Sequence, residues 1–189
     1  MSGRSTPSQT VGPFFSIGFT WLERADLTEG ASGGAQVSIR GRVLDGEEKP
    51  VPDAVLEIWQ ADADGRYAHD EDATEGVAAG NFFGFGRVPV NDRGEFFFTT
   101  IKPGGVRGRD RTTHAPHLLV SVFMRGLLKR LVTRIYFPGD PANDTDDVLS
   151  LVPAARRGTL IARSDSESGK TLVWDVHLQG DDETVFFDC

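Results

Sequence analysis

What this chain lacks narrows it first. Cys189 is its only cysteine, so no disulfide can close within the chain and no thiolate cluster can hold zinc. A single thiol fits a reducing compartment, and the expected location is the cytoplasm. No run approaches the ~18 apolar residues of a membrane helix. Residues 1–10 are polar and carry no apolar stretch of the signal-peptide kind. Basic residues are scarce: 20 Lys and Arg stand against 28 Asp and Glu, a net charge of -8. With no Lys/Arg block, nucleic acid is excluded as a natural partner. An acidic chain does not draw an anionic substrate from a distance, so any such substrate would need a local cation. There is no Walker loop, no dinucleotide glycine fingerprint and no serine elbow. Gly84-Phe85-Gly86 is too short to carry meaning alone.

What is present describes a β protein. The 189 residues hold 13 Phe and 3 Trp but only 2 Met, which predicts a rigid aromatic core in one domain, residues 1–189. Residues 1–35 read as an extended arm, with Pro7 and Pro13 keeping its start extended and a short helix expected over 21–27. Residues 36–189 read as a β-sandwich. Short runs rich in Val, Ile, Phe and Thr predict strands over 36–43, 54–60, 95–101, 118–124 and 131–137, with Val37, Ile39 and Val43 in the core. A short helix is expected over 144–151. A hairpin is expected between 159–163 and 171–178, turning over 165–169, and a last strand over 184–187. Residues 62–93 and 103–116 lack clear periodicity. Long loops of this kind are either functional or plain surface excursions.

The residues able to carry chemistry are few. The histidines are His69, His114, His117 and His177, each readable as a surface or hydrogen-bonded side chain. His114 and His117 are three apart, a chelating spacing on a helix, but at a strand entrance their side chains need not converge. The tyrosines are Tyr67 and Tyr136, and Tyr136 reads first as a packed strand aromatic. Arg134 alternates with Tyr136, so both face one side of the sheet. An arginine in an apolar strand needs a partner or an anion. A structural ion pair is one solution and a bound carboxylate is another.

The order of motifs is more specific. Pro50-Val51-Pro52-Asp53-Ala54-Val55-Leu56-Glu57-Ile58-Trp59-Gln60-Ala61-Asp62 leads into Asp64-Gly65-Arg66-Tyr67. Gly84-Phe85-Gly86-Arg87, Thr99-Thr100-Ile101-Lys102-Pro103-Gly104, Ala115-Pro116-His117 and Thr133-Arg134-Ile135-Tyr136-Phe137 follow. This succession resembles the intradiol ring-cleavage dioxygenases over nearly the whole chain. The resemblance implies a mainly β fold, a β-sandwich of the intradiol type, and an Fe(III) chemistry in which two tyrosinates and two histidines hold the metal. Phenolate oxygens suit a hard ferric ion.

Carried over residue by residue, the ligand set is incomplete. Tyr67 occupies the first tyrosine position and His117 the first histidine position. The second tyrosine should follow Lys102-Pro103-Gly104, where this chain reads Gly105-Val106. The second histidine should fall at Leu119. The assisting arginine, three residues before the first histidine, is His114. The resemblance therefore implies the iron-free alpha chain of a two-chain member, with Tyr67 and His117 as vestigial ligand positions and no metal or catalytic residue of its own. Iron would reside in a beta subunit, the expected partner in a higher-order alpha–beta oligomer. The substrate would be 3,4-dihydroxybenzoate, opened with O2 to 3-carboxy-cis,cis-muconate in aromatic catabolism through β-ketoadipate. The arm Thr6-Pro7-Ser8-Gln9-Thr10-Val11-Gly12-Pro13-Phe14-Phe15 resembles the alpha-chain segment lining the substrate cleft. It implies that Thr10, Gly12 and Pro13 border the substrate, or that the arm only seals the interface. Arg134 matches an arginine near the entering substrate and would suit its carboxylate. Two other readings stand beside this one. One is an autonomous dioxygenase with a rearranged site of Tyr67, Tyr136, His117 and His177. The other is a ligand-binding β-sandwich without catalysis.

Overall fold

The computed structural model describes residues 6–69, 81–108, 112–165 and 169–188. Eleven strands follow one another among them: β1 (Gln36–Leu44), β2 (Val55–Trp59), β3 (Phe85–Pro89), β4 (Glu95–Ile101), β5 (Val106–Arg107), β6 (Thr113–His114), β7 (His117–Phe123), β8 (Leu131–Tyr136), β9 (Arg163–Ser164), β10 (Thr171–Val173) and β11 (Val176–His177). Two short α-helices join them, α1 (Phe14–Gly18) and α2 (Asp147–Leu151). No helix among the described residues is long and apolar enough to cross a membrane.

Two sheets make the sandwich. One runs β3-β2-β7-β8, every pair antiparallel. The other centres on β1, antiparallel to β4 and parallel to β10 and β11, with β9 antiparallel to β10. Between β10 and β11 the ladder to β1 is interrupted at Trp174 and Asp175 without a change of register. The Asp175 carboxylate accepts the Arg42 N–H at 2.9 Å, in place of the missing ladder bond. Gly41 permits the close approach of the Trp174 backbone. A Cβ there would lie 1.8 Å from the Trp174 carbonyl oxygen, so no side chain fits.

Alternation along the strands sends one set of side chains into the space between the sheets. Ile39 and Val43 from β1, Phe98 from β4, Leu56 and Ile58 from β2, Leu118 and Val120 from β7, and Ile135 from β8 are fully buried in one cluster. Each such side chain contributes roughly 1.5–3 kcal/mol by leaving water. Phe96 stacks near Phe98 and meets Trp174 edge-on, each pair with centroids 6.4 Å apart. A smaller cluster of Ala115, Tyr136, Leu149, Val152 and Leu160 sits beyond the end of β8.

The core positions expected at Val37, Ile39 and Val43 are buried. Several local expectations are corrected. The arm helix is α1, not 21–27: Pro13 adopts φ -70°, ψ -22° and opens the helix instead of extending the chain. Thr20–Leu22 is a single 3-10 turn, and beyond it Arg24 and Asp26 bridge to Arg87 and Thr99. Ala154–Leu160 forms a 3-10 helix, so the hairpin shortens to β9 and β10; residues 166–168 of its turn lie outside the described residues. The segment 184–187 forms no strand. It touches β8 through one bridge, Val132 to Phe187. Two strand regions were hidden in the aperiodic stretches, β3 in 62–93 and the β5–β6 ribbon in 103–116. Residues 70–80 and 109–111 of those stretches, and Cys189, lie outside the described residues.

Candidate functional site

The outer face of the β3-β2-β7-β8 sheet carries the chain's unusual side chains. Residues that alternate with the core point outward there: Phe85 and Arg87, Glu57 and Trp59, His117 and Leu119, Arg134 and Tyr136. Register aligns them in rows. Phe85 pairs with Trp59, Trp59 with Leu119, and Leu119 with Arg134. In the next row His117 pairs with Tyr136. Tyr67 lies flat on Trp59, with centroids 5.8 Å apart and planes 4° from parallel. At the far edge Arg87 is ion-paired to Glu57, and its guanidinium sits 4.9 Å from the Phe19 ring of the arm.

Arg134 makes no ion pair among the described residues. Its Nη1 donates to the Tyr136 hydroxyl at 3.2 Å, which donates in turn to Asp146 Oδ1 at 2.9 Å. Asp146 caps α2, accepting the Leu149 N–H at 2.7 Å, and also accepts the Ala115 N–H at 2.8 Å. Burial alone would raise this fully buried carboxyl. The Leu149, Ala115 and Tyr136 hydrogen bonds and the Arg134 charge hold it below its ordinary value instead. Burial pushes the Tyr136 hydroxyl well above the usual phenol range, against the opposing pull of Arg134. Asp146 is therefore an anion accepting from a neutral phenol at pH 7.

His117 is 3% exposed. Burial, and then the Arg134 charge, push its pKa down to about 4 against the hydrogen bond to Ala115. That bond, Nδ1 to the Ala115 carbonyl at 2.7 Å, fixes the proton on Nδ1 of the neutral ring. His114 stands on β6, edge-on to His117 with centroids 6.2 Å apart. Its Nδ1 lies 3.6 Å from Asp146 Oδ2.

A ferric ion does not fit this set of donors. Of the four positions implied by the family pattern, Tyr67 and His117 offer donors, while Gly105-Val106 and Leu119 offer none. The Arg134 cation borders the remainder and would repel a metal. Among the described residues no three His, Cys, Asp or Glu side chains gather to hold one. The rearranged site is contradicted as well. His177 belongs to β11 on the other sheet, with Nδ1 3.3 Å from Glu48, and the Tyr136 hydroxyl is committed to Asp146.

The arm is placed apart from Arg134. The Thr10 hydroxyl accepts the N–H of Gly126 at 2.7 Å, in the turn between β7 and β8, whereas Arg134 lies toward the far end of β8. Gly12 takes φ 70°, which favours glycine, and Pro13 caps α1. Among the described residues no hydrogen bond, ion pair or ring contact joins these three to Arg134. His69 is exposed on the loop beyond Tyr67. Sequence reasoning missed Asp146, although an aspartate before an apolar run is an N-cap signal. It also missed Trp59 as the surface under Tyr67, for which no local signal exists.

Three comparisons bear on this arrangement. A family model described as Dioxygenase matches residues 11–180. The chain is 40% identical over 199 aligned positions to the protocatechuate 3,4-dioxygenase alpha chain of Burkholderia cepacia, covering 98% of each. It is 37% identical to the beta chain of that enzyme from the same organism, covering 86% of this chain and 72% of the relative. Among solved structures, the dioxygenase domain of a carbohydrate-binding fusion protein from Streptomyces sp. SirexAA-E superposes with a TM-score of 0.64 at 24% identity, covering 95% of this chain and 96% of that one. The last similarity speaks to the fold alone.

Proposed function

The chain belongs to the intradiol dioxygenase family, whose enzymes use non-haem iron, and from that premise we propose that it serves as an alpha chain of the protocatechuate 3,4-dioxygenase type. In this reading it holds no iron and completes a cleft whose metal belongs to a beta chain. The pair converts 3,4-dihydroxybenzoate and O2 to 3-carboxy-cis,cis-muconate.

One observation carries the reading. In the row Trp59–Leu119–Arg134, an apolar side chain stands where the family pattern has a histidine ligand, and a cation lies directly across from it. What remains is suited to an anion. Arg134 is half-buried, hydrogen-bonded to the Tyr136 hydroxyl, and free of any carboxylate partner among the described residues. Part of its charge is therefore available for the carboxylate that separates this substrate from plain catechol. Iron in the beta chain would supply the ring-opening chemistry; this chain's part is to receive and orient the carboxylate and keep water from that end of the ring.

The arm supports the partnership. Phe15 and Phe19 turn inward, Phe15 stacking on Phe123 at 5.1 Å. Val11, Phe14, Ile17 and Trp21 turn outward and are 41%, 78%, 64% and 75% exposed. An apolar stripe of that exposure fits a partner chain. Thr10, Gly12 and Pro13 would then reach the cleft only as the beta chain packs against the arm.

The test is Arg134→Ala in the co-expressed alpha–beta complex. The expected result is a KM for 3,4-dihydroxybenzoate raised about 10- to 100-fold, as for a lost charge-assisted bond, with iron content intact. Unchanged KM would remove Arg134 from the substrate site.

A further inference from the structure

Arg134 is a long side chain on the outer face of a sheet, and its own backbone does not fix where the guanidinium points. The residue that holds it is two positions along the same strand. Nη1 of Arg134 donates to the Tyr136 oxygen at 3.2 Å. The Tyr136 hydroxyl in turn donates a hydrogen bond to Asp146 Oδ1 at 2.9 Å. Asp146 is fully buried and accepts the backbone N–H groups of Leu149, on α2, and Ala115, ahead of β7. The chain of bonds has one direction. Asp146 can only accept, so the phenol must donate to it and its oxygen lone pair must face Arg134. We propose that Tyr136, anchored by Asp146, is a positioning residue that presents Arg134 to the substrate carboxylate.

This rests on the reading of Arg134 above and adds a separate claim. Tyr136 touches neither substrate nor metal. It holds one edge of the guanidinium and leaves the remaining N–H donors for the ligand. It does so without neutralising the charge, as a direct Asp–Arg pair would. Asp146 lies one residue further, close enough to orient the phenol and screened by it from the ligand. An arginine already held in one rotamer loses less freedom when the carboxylate arrives.

The experiment is a double-mutant cycle in the alpha–beta complex, with Tyr136→Phe and Arg134→Ala alone and together. Tyr136→Phe removes one oxygen and keeps the packed ring. The expected result is a KM for 3,4-dihydroxybenzoate raised about three- to tenfold, with kcat per bound iron within about twofold. In the Arg134→Ala background the same change adds nothing to KM. A second readout uses inhibitors, 4-hydroxybenzoate against phenol. Tyr136→Phe weakens the carboxylated inhibitor and leaves phenol unchanged, and inhibition constants do not depend on how much complex assembles. Three results overturn the inference: an unchanged KM in Tyr136→Phe, an equal rise with and without Arg134, or a complex that fails to assemble, which makes Tyr136 a packing residue. If Arg134→Ala itself leaves KM unchanged, the reading of Arg134 falls and this inference with it. If Arg134→Ala raises KM while Tyr136→Phe does not, only the positioning role is lost.

Discussion

Leu119 on β7 stands directly across from Arg134 on β8. A cross-strand neighbour of this kind is within reach of a long side chain, so the residue at 119 decides whether Arg134 meets a charge there before any ligand arrives. Leucine offers it nothing. An acid there would capture the guanidinium. Leu119→Asp is therefore expected to raise KM for 3,4-dihydroxybenzoate about tenfold by competing for Arg134, while the uncharged isostere Leu119→Asn has a much smaller effect. Steady-state kinetics of the two variants, with iron content measured in parallel, check this. Equal effects from both would mean that charge at Arg134 is not what the substrate uses.

The arm separates into two faces with different consequences. Phe15 packs on Phe123, so Phe15→Ala is expected to cost the folded chain about 2 kcal/mol. Trp21 and Phe14 are mostly exposed, and the Trp21 indole N–H donates within the arm to the Gly18 carbonyl at 3.1 Å. Trp21→Ala and Phe14→Ala should leave the unfolding midpoint of the lone chain unmoved yet weaken its association with the beta chain by about 2 kcal/mol or more, as hot-spot aromatics do. Denaturation of the chain and titration of the complex distinguish the two faces. If Trp21→Ala and Phe14→Ala leave the affinity unchanged, the stripe is not the interface.

His117 gives the fold an acid-sensitive point. Its pKa is about 4 in the folded chain, against an ordinary value of 6.5. Below pH 6.5 the unfolded chain therefore binds a proton that the folded chain refuses, and stability falls as pH drops from 6.5 toward 4. At the acid end the loss reaches about 3 kcal/mol. Urea unfolding at about pH 7.5 and about pH 5 should show a lower midpoint at the acid pH. His117→Gln should flatten that difference. An equal drop in the variant would assign the effect to other groups.

Gln60 is a buried amide inside the apolar sandwich. Its Nε2 donates to the carbonyls of Ala61 and Ile101, each at 3.1 Å, and its Oε1 accepts the Thr100 hydroxyl. Gln60→Leu strands these groups, at an expected cost of about 2–4 kcal/mol. Adding Thr100→Val removes one stranded donor and should recover part of the loss. Denaturant midpoints of the single and double variants test this; a double variant less stable than Gln60→Leu alone would contradict it.

Much of the sandwich was legible because its strands follow the period of two. Val37, Ile39 and Val43 announced the buried side of β1, and Arg134 and Tyr136 announced a shared outward face. β3 was not legible because Gly86, Arg87 and Pro89 break the pattern. Gly86 is there for tertiary reasons, since a Cβ would lie 2.6 Å from Leu27 Cδ1. α1 was hidden by Pro13, whose fixed φ serves an extended arm or a helix start equally well. In the site, the motifs located Tyr67, His117, Leu119 and Arg134. They could not show that Arg134 is tied to Tyr136 and thence to Asp146, because that link depends on how α2 folds back onto β8.

The most direct measurement of the central claim is metal content and visible absorbance, first of this chain purified alone and then of the co-expressed alpha–beta complex. The account predicts a lone chain without iron or colour, and a complex that has bound iron, a tyrosinate-to-iron absorption band and ring-cleaving activity. Stoichiometric ferric iron with that band in the lone chain would contradict it.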